Sequence, residues 1–197
     1  MKKNNYFSVV FLIFIQLFIS TNVLGDVLRM GNENAKITIR VFSSLTCPHC
    51  ASFHQEIFDN LKKDYIDTNK VKFEHHAFPL DLAALNAEKI VRCAPSTEVK
   101  FKLLQKIYDK QKIWAVGSDI NKINESLIKI GTESKIPKNE FKKCLKDERS
   151  QDAILEERIK AQKEYDIKST PTIYINSKKY EDKHEFKSFK KQLDKLL

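Results

Sequence analysis

Apolar and polar positions alternate over Ile37-Thr38-Ile39-Arg40-Val41-Phe42, a β-branched stretch that predicts a strand. A second such stretch runs from Val71 to Phe78 and is closed by Pro79. Between them, Phe53, Ile57, Phe58, Leu61 and Tyr65 recur at helical spacing and predict a helix over about 48–65. Strand, helix and strand in that order make a βαβ unit with parallel strands. From residue 82 the pattern turns wholly helical. Ala83, Ala87, Ile90 and Ala94 form one stripe, and Val99, Leu103, Leu104, Ile107 and Tyr108 a second. Ile120, Ile123, Leu127 and Ile128 give a third, with Gly131 as its expected cap. A fourth helix follows Pro137 and runs, with a kink, to about Tyr165. Alternation returns at Thr172-Ile173-Tyr174-Ile175, with Asn176-Ser177 as a turn and Lys179-Tyr180-Glu181 as a partner strand. Phe186, Phe189, Leu193 and Leu196 mark a last amphipathic helix. The order is βαβ, helical insert, ββα.

The start of the chain has a different character. Lys2 and Lys3 precede an apolar run from Phe7 to Ile19, and Val23 and Gly25 are small enough for the −3 and −1 sites of a signal peptidase. Residues 1–25 therefore read as a secretory signal cleaved near Gly25. The run of 13 residues falls short of the ~20 a membrane helix needs, so an uncleaved anchor is the weaker alternative. What remains is about one domain, large enough to bury a core. The formal net charge is +9, but the lysines are interleaved with acids, as in Lys142-Lys143 against Asp147-Glu148, which argues with the export signal against a nucleic-acid partner. Four cysteines in an exported chain stand where disulfides persist.

Cys47-Pro48-His49-Cys50 follows the first strand and opens the first helix. A structural zinc site needs four ligands, commonly two Cys-x-x-Cys pairs, and only one such pair is present. Redox chemistry fits better. Pro48 suits the first helical turn, where a missing N–H costs nothing. Free backbone N–H groups and the helix dipole favour an anion at that end. Cys47 then reads as an exposed, thiolate-prone nucleophile and Cys50, one turn inside, as a shielded resolving thiol. The dipole contributes up to ~2 kcal/mol, about one pKa unit, so a strong oxidant needs further donors. His49, between the two cysteines, is the candidate to donate a hydrogen bond or positive charge to the Cys47 thiolate. Pro171 opens a strand, a rare place for proline. A cis Thr170–Pro171 bond would turn an unpaired backbone edge toward the disulfide, where an extended substrate can add like a strand. Thr170 offers its hydroxyl to the same sulfur, and a trans proline at a strand edge is the plain alternative. His75 and His76, adjacent on a strand, point to opposite faces and chelate poorly together. His54 reads as a surface or packing residue, and Trp114 as core or hinge packing.

These pieces, VFSSLTCPHC, STPTIYINSKKY and the helical block between them, resemble the DsbA family of exported thiol–disulfide oxidoreductases over nearly all of the chain beyond residue 25. The resemblance implies an α/β thioredoxin fold assembled from residues 26–81 and 167–197, with residues 82–166 as an inserted α-helical domain. It further implies a cis proline at Pro171, no cofactor, no resident metal, and disulfide donation in the periplasm. The expected partners are unfolded or partly folded exported proteins with reduced cysteines, and a quinone-linked membrane protein as reoxidant. Only about ten residues separate the signal from the first strand, which argues for a monomer and against the isomerases that carry a dimerisation domain there. An isomerase or reductase of narrow substrate range, and a metal-binding or copper-delivery module using Cys47, Cys50 and a histidine, are the rival functions.

Two departures stand out. Many members carry a buried glutamate six residues before the first cysteine, and this chain has Val41 there, so the proton of Cys50 needs another route. Cys93 and Cys144 are additional to the active-site pair. A disulfide bracing the insert, worth roughly 4 kcal/mol in the loop-entropy model, is the favoured reading; two free thiols or a second redox pair are the alternatives.

Overall fold

A computed structural model describes residues 27–197, and the expected signal over 1–25 lies outside the described residues. The β-branched run around Val41 forms the centre of a five-stranded sheet. Strand β2 (Ile37–Ser43) runs parallel to β3 (Val71–Ala77), with Val41 opposite His75 and Ser43 opposite Ala77. On the outer side of β3 lies an antiparallel strand, β1 (Leu28–Gly31). Strand β4 (Thr172–Ile175) pairs antiparallel with β2, and the short β5 (Lys178–Lys179) pairs with β4 across a turn where Asn176 adopts a positive φ of 55°. The sheet order is β1-β3-β2-β4-β5.

The pleat of β2 divides the core. Ile37, Ile39 and Val41 are buried with Cys50, Phe53, Phe73 and Leu104 on one face, while Phe42 packs with Phe78, Ala161 and Ile167 on the other. The predicted helix 48–65 forms as one helical run from Pro48 to Ile66, made of α1 (Pro48–Phe53), a π turn (His54–Phe58), α2 (Asp59–Leu61) and a second π turn (Lys62–Ile66). It buries Phe53, Ile57, Phe58, Leu61 and Tyr65, the residues of the apolar stripe.

Between β3 and β4 the chain is helical: α3 (Leu82–Arg92), α4 (Thr97–Asp109), α5 (Gln111–Trp114), α6 (Ile120–Thr132), α7 (Lys138–Lys146) and α8 (Glu148–Tyr165). Several sequence expectations are corrected here. The fourth helix is two, because Asp147 leaves helical geometry at ψ 104° and caps α8 by accepting from the Arg149 N–H. Gly131 is not a cap. It lies inside α6, where an added Cβ would meet the buried Phe141 ring at 2.5 Å, so the helices α6 and α7 are close because this residue has no side chain. Ala94 and Leu196 fall beyond the ends of α3 and of the final helix α9 (Phe186–Asp194). Among the alternatives for Cys93 and Cys144, the disulfide is the one present, joining the end of α3 to α7 with a Cα–Cα distance of 6.0 Å. The helical block is tied to the sheet by Glu157 on α8, which accepts from the Ala77 backbone N–H at 3.0 Å and pairs with Arg92.

Candidate active site

The loop after β2 delivers Cys47 as the N-cap of α1, with Pro48 at the first helical position. The Cys47 carbonyl accepts from the Cys50 and Ala51 N–H groups, which starts the helix directly beneath the sulfur. Both cysteines are thiols, and Cys50 is fully buried. Cys47 is only 8% exposed, so this sulfur is far more covered than a helix terminus alone suggests. The covering segment is the loop before β4. Thr170–Pro171 is cis, and the Cys47 thiol donates to the Thr170 carbonyl oxygen at 3.2 Å.

The two sulfurs titrate in opposite directions. The Cys47 thiol is lowered from 9.0 to about 5, chiefly by a hydrogen bond from the Cys50 thiol, with the Thr170 side chain and the backbone N–H groups of Cys50 and His49 assisting against burial. Burial, and the charge of Cys47, push the Cys50 thiol far above its ordinary range. The Thr170 side chain favours the charged form of both sulfurs, while its buried hydroxyl has no hydrogen-bond partner in this structure. The structure shows no hydrogen bond from the His49 imidazole to the Cys47 sulfur. His49 is exposed, and its backbone N–H contributes to the low Cys47 value.

The helical insert reaches into this site through a residue that sequence reasoning missed. Gln111, at the start of α5, is buried, and its Nε2 donates to the carbonyls of Leu45 at 2.7 Å and Cys47 at 3.0 Å. The other flank is held by Asp81. Its carboxylate accepts from the Thr46 hydroxyl at 2.7 Å and from the Ala84 N–H at 2.7 Å, so one side chain caps α3 and fixes the loop before Cys47. The Gln111 bonds and the Thr46–Asp81 bond have no local signature, since their partners lie 35 to 66 residues away in sequence, whereas the Asp81 cap on α3 is local. Trp114, three residues after Gln111, is core: its indole N–H donates to the Ile107 carbonyl at 2.8 Å. His54 is also fully buried rather than superficial, stacked on Tyr108 with ring centroids 4.3 Å apart.

A Cys-x-x-Cys pair capping the first helix of a βαβ unit, covered by a cis-proline loop on a mixed sheet of this order, defines the thioredoxin class. The thioredoxin family model matches residues 24–195, and the chain belongs to that family. Within it the chain is DsbA-like. It is 28% identical to alpha-DsbA1 of Wolbachia pipientis in crystal structure, with a TM-score of 0.79 covering 88% of this chain and 92% of that one. A putative protein-disulfide oxidoreductase of Rickettsia prowazekii is 31% identical over 85% of this chain and 60% of the relative. Disulfide bond formation protein D of Bacillus subtilis is 28% identical over 85% of this chain and 76% of its own. The chain thus spans about three fifths of the length of the Rickettsia relative.

Proposed function

We propose that this protein is a periplasmic dithiol oxidase that passes its Cys47–Cys50 disulfide to exported proteins bearing reduced cysteines. The observation that carries this reading is the split between the two sulfurs, one lowered to about 5 and the other pushed far up. At neutral pH a thiol held near 5 rather than 9.0 stabilises the reduced protein by about 3 kcal/mol, on the order of 60 mV toward a more oxidising couple. A substrate thiolate attacks Cys47 Sγ in the disulfide, and Cys50 leaves. A second substrate thiolate then attacks the substrate sulfur of the mixed disulfide, and Cys47 leaves as the stabilised thiolate.

The surface around the sulfurs supports a protein substrate. Leu80 and Leu82 flank Asp81, and Ile113 and Val116 follow Gln111, so four exposed apolar side chains sit on the two segments bonded to the active-site loop. The Thr170 carbonyl edge suits an extended chain laid beside Cys47. Export rests on the basic and apolar pattern of residues 1–25. A monomeric enzyme, built from residues 26–81 and 167–197 with 82–166 inserted, and returned to its oxidised state by a quinone-linked membrane protein, completes the reading. The test is oxidation of a reduced two-cysteine peptide by the purified disulfide form. Stoichiometric transfer that is lost in Cys47→Ser supports an oxidase. Rescue of a scrambled protein without net oxidation would make it an isomerase, and tightly held copper or zinc a metal carrier.

A further inference from the structure

Opening the Cys47–Cys50 bridge leaves the electron pair on Cys50 Sγ, which has no exposed surface. A proton must reach it, and the groups beneath it show from where. Cys50 and His54 are one turn apart on the same helical run, and His54 stacks on Tyr108 of α4 at 4.3 Å. The His54 ring lies 6.4 Å from that of His75 on β3, and His75 Nε2 stands 2.8 Å from Glu88 Oε1 on α3. Both members of this histidine–carboxylate pair are only 2% exposed at the side chain. Val41, opposite His75, and Ser43, two residues on, complete the same face of the sheet.

Among the described residues, Ser43 Oγ, His54 Nε2, His75 Nδ1 and Tyr108 Oη are all buried without a protein hydrogen-bond partner. Buried polar atoms of this kind are commonly bridged by ordered water in folded proteins, and such atoms around a histidine–carboxylate pair and a thiol offer a path for a proton. Burying two ionisable side chains is a poor device for stability alone, because desolvation offsets much of what their contact gains. We propose that the Glu88–His75 pair holds the proton that Cys50 takes up when the disulfide opens, passing it through the Tyr108 hydroxyl, and accepts it again when the disulfide re-forms.

The step balances. Substrate thiolate and the disulfide give a mixed disulfide and the Cys50 thiolate; the pair gives one proton to Cys50; solvent, receiving the protons of the substrate thiols, returns one to the pair. The titratable and charged groups facing this route are Cys47 and Cys50 from α1, His54 from the π turn, Tyr108 from α4, His75 from β3 and Glu88 from α3, and β2 contributes only Val41 and Ser43. His54 is excluded as the carrier, since burial and the charge of His75 hold it near 3. The Tyr108 hydroxyl is kept protonated by burial and by the charges of Cys50 and Glu88, so it transmits a proton without losing its own. Lys89 is turned away to the Leu145 carbonyl, and Glu74 and His76 lie on the other face of β3.

This inference rests on the disulfide-exchange reading above, and dithiothreitol separates the two because it needs no protein substrate. Oxidised wild type, Glu88→Gln and Tyr108→Phe are each mixed with it, and the opening rate is followed across pH. Both variants are expected to react at least about tenfold more slowly at neutral pH and to recover as acid supplies protons from solvent, with the Cys47 thiolate titration of the reduced forms unmoved. Native rates and a native pH profile in both variants would overturn the proposal alone. If Glu88→Gln does not fold, Tyr108→Phe decides, since it removes only a hydroxyl with no protein partner. A wild-type bridge that dithiothreitol leaves closed overturns this proposal and the redox reading together.

Discussion

Cys47 and Cys50 are separated by one helical turn, and that turn divides a covered but chargeable sulfur from one that burial keeps protonated. The motif was legible because helix-start chemistry is local: a proline at the first turn, free N–H groups and a preceding strand all lie within a few residues. The cis bond at Pro171 was expected from the family resemblance, while its neighbourhood alone left a trans proline open. The low exposure of Cys47 was not, because the covering loop arrives from residue 170. Gln111 was equally silent, since nothing in its own neighbourhood announces a bond to Leu45 and Cys47. Its replacement tests its weight. Gln111→Ala strands the buried Leu45 carbonyl, while the Cys47 carbonyl keeps the Cys50 and Ala51 N–H groups, and is expected to cost about 1–3 kcal/mol in denaturant unfolding. A loss under about 0.5 kcal/mol, the scale of an ordinary surface change, would mean that the insert does not hold the active-site loop.

At the scale of elements, strands and helices with a clean period appeared where the pattern put them: β2, β3 and β4, and the stripes that became α3, α4 and α6. The misses have physical causes. Strand β1, Leu-Arg-Met-Gly, is too short to show a period and exists because it pairs with β3. Helix α5 is a four-residue turn set by tertiary contacts of Gln111 and Trp114. Gly131 reads as a stop signal in sequence, yet its use is close approach to Phe141. Two effects oppose each other at this position. Alanine gains up to ~1 kcal/mol in helix propensity, while forcing a methyl against a fully buried ring costs about 1–3 kcal/mol. Phe141 is at 0% exposure and has nowhere to retreat. Gly131→Ala is therefore expected to lower the unfolding midpoint, and a rise would show that α6 and α7 separate freely.

Across the whole molecule, the thioredoxin-type sheet and the helical block meet at buried polar contacts: Gln111 on the loop that carries Cys47, Glu157 on β3, and Glu88 on His75. The βαβ–insert–ββα order was readable from periodicity, but this interface was not, because long-range pairing leaves no period. Val41 signalled a missing acid, and the structure places the Glu88–His75 pair beside it. The buried ionisable groups also fix the acid limb of stability. The folded-state pKa of His54 is about 3, below its ordinary 6.5, so its contribution is full above 6.5 and is lost as pH falls toward 3. Glu74, lowered to about 2 against burial by its His76 hydrogen bond and the charges of Arg40, His76 and Lys72, adds a second loss below 4.5. Unfolding free energy of the disulfide form should fall below pH 6.5 with a slope approaching about 1.4 kcal/mol per pH unit from His54. A flat profile from neutrality down to pH 4.5 would show that the ring takes up a proton in the fold.

The most direct test of the account is the ultraviolet absorbance of the thiolate in the reduced protein, titrated against pH with the oxidised protein as baseline and Cys47→Ser as control. The account predicts a midpoint near 5 that disappears in the serine variant. A midpoint near 9.0 would contradict it, because the disulfide would then have no stabilised anion to leave behind.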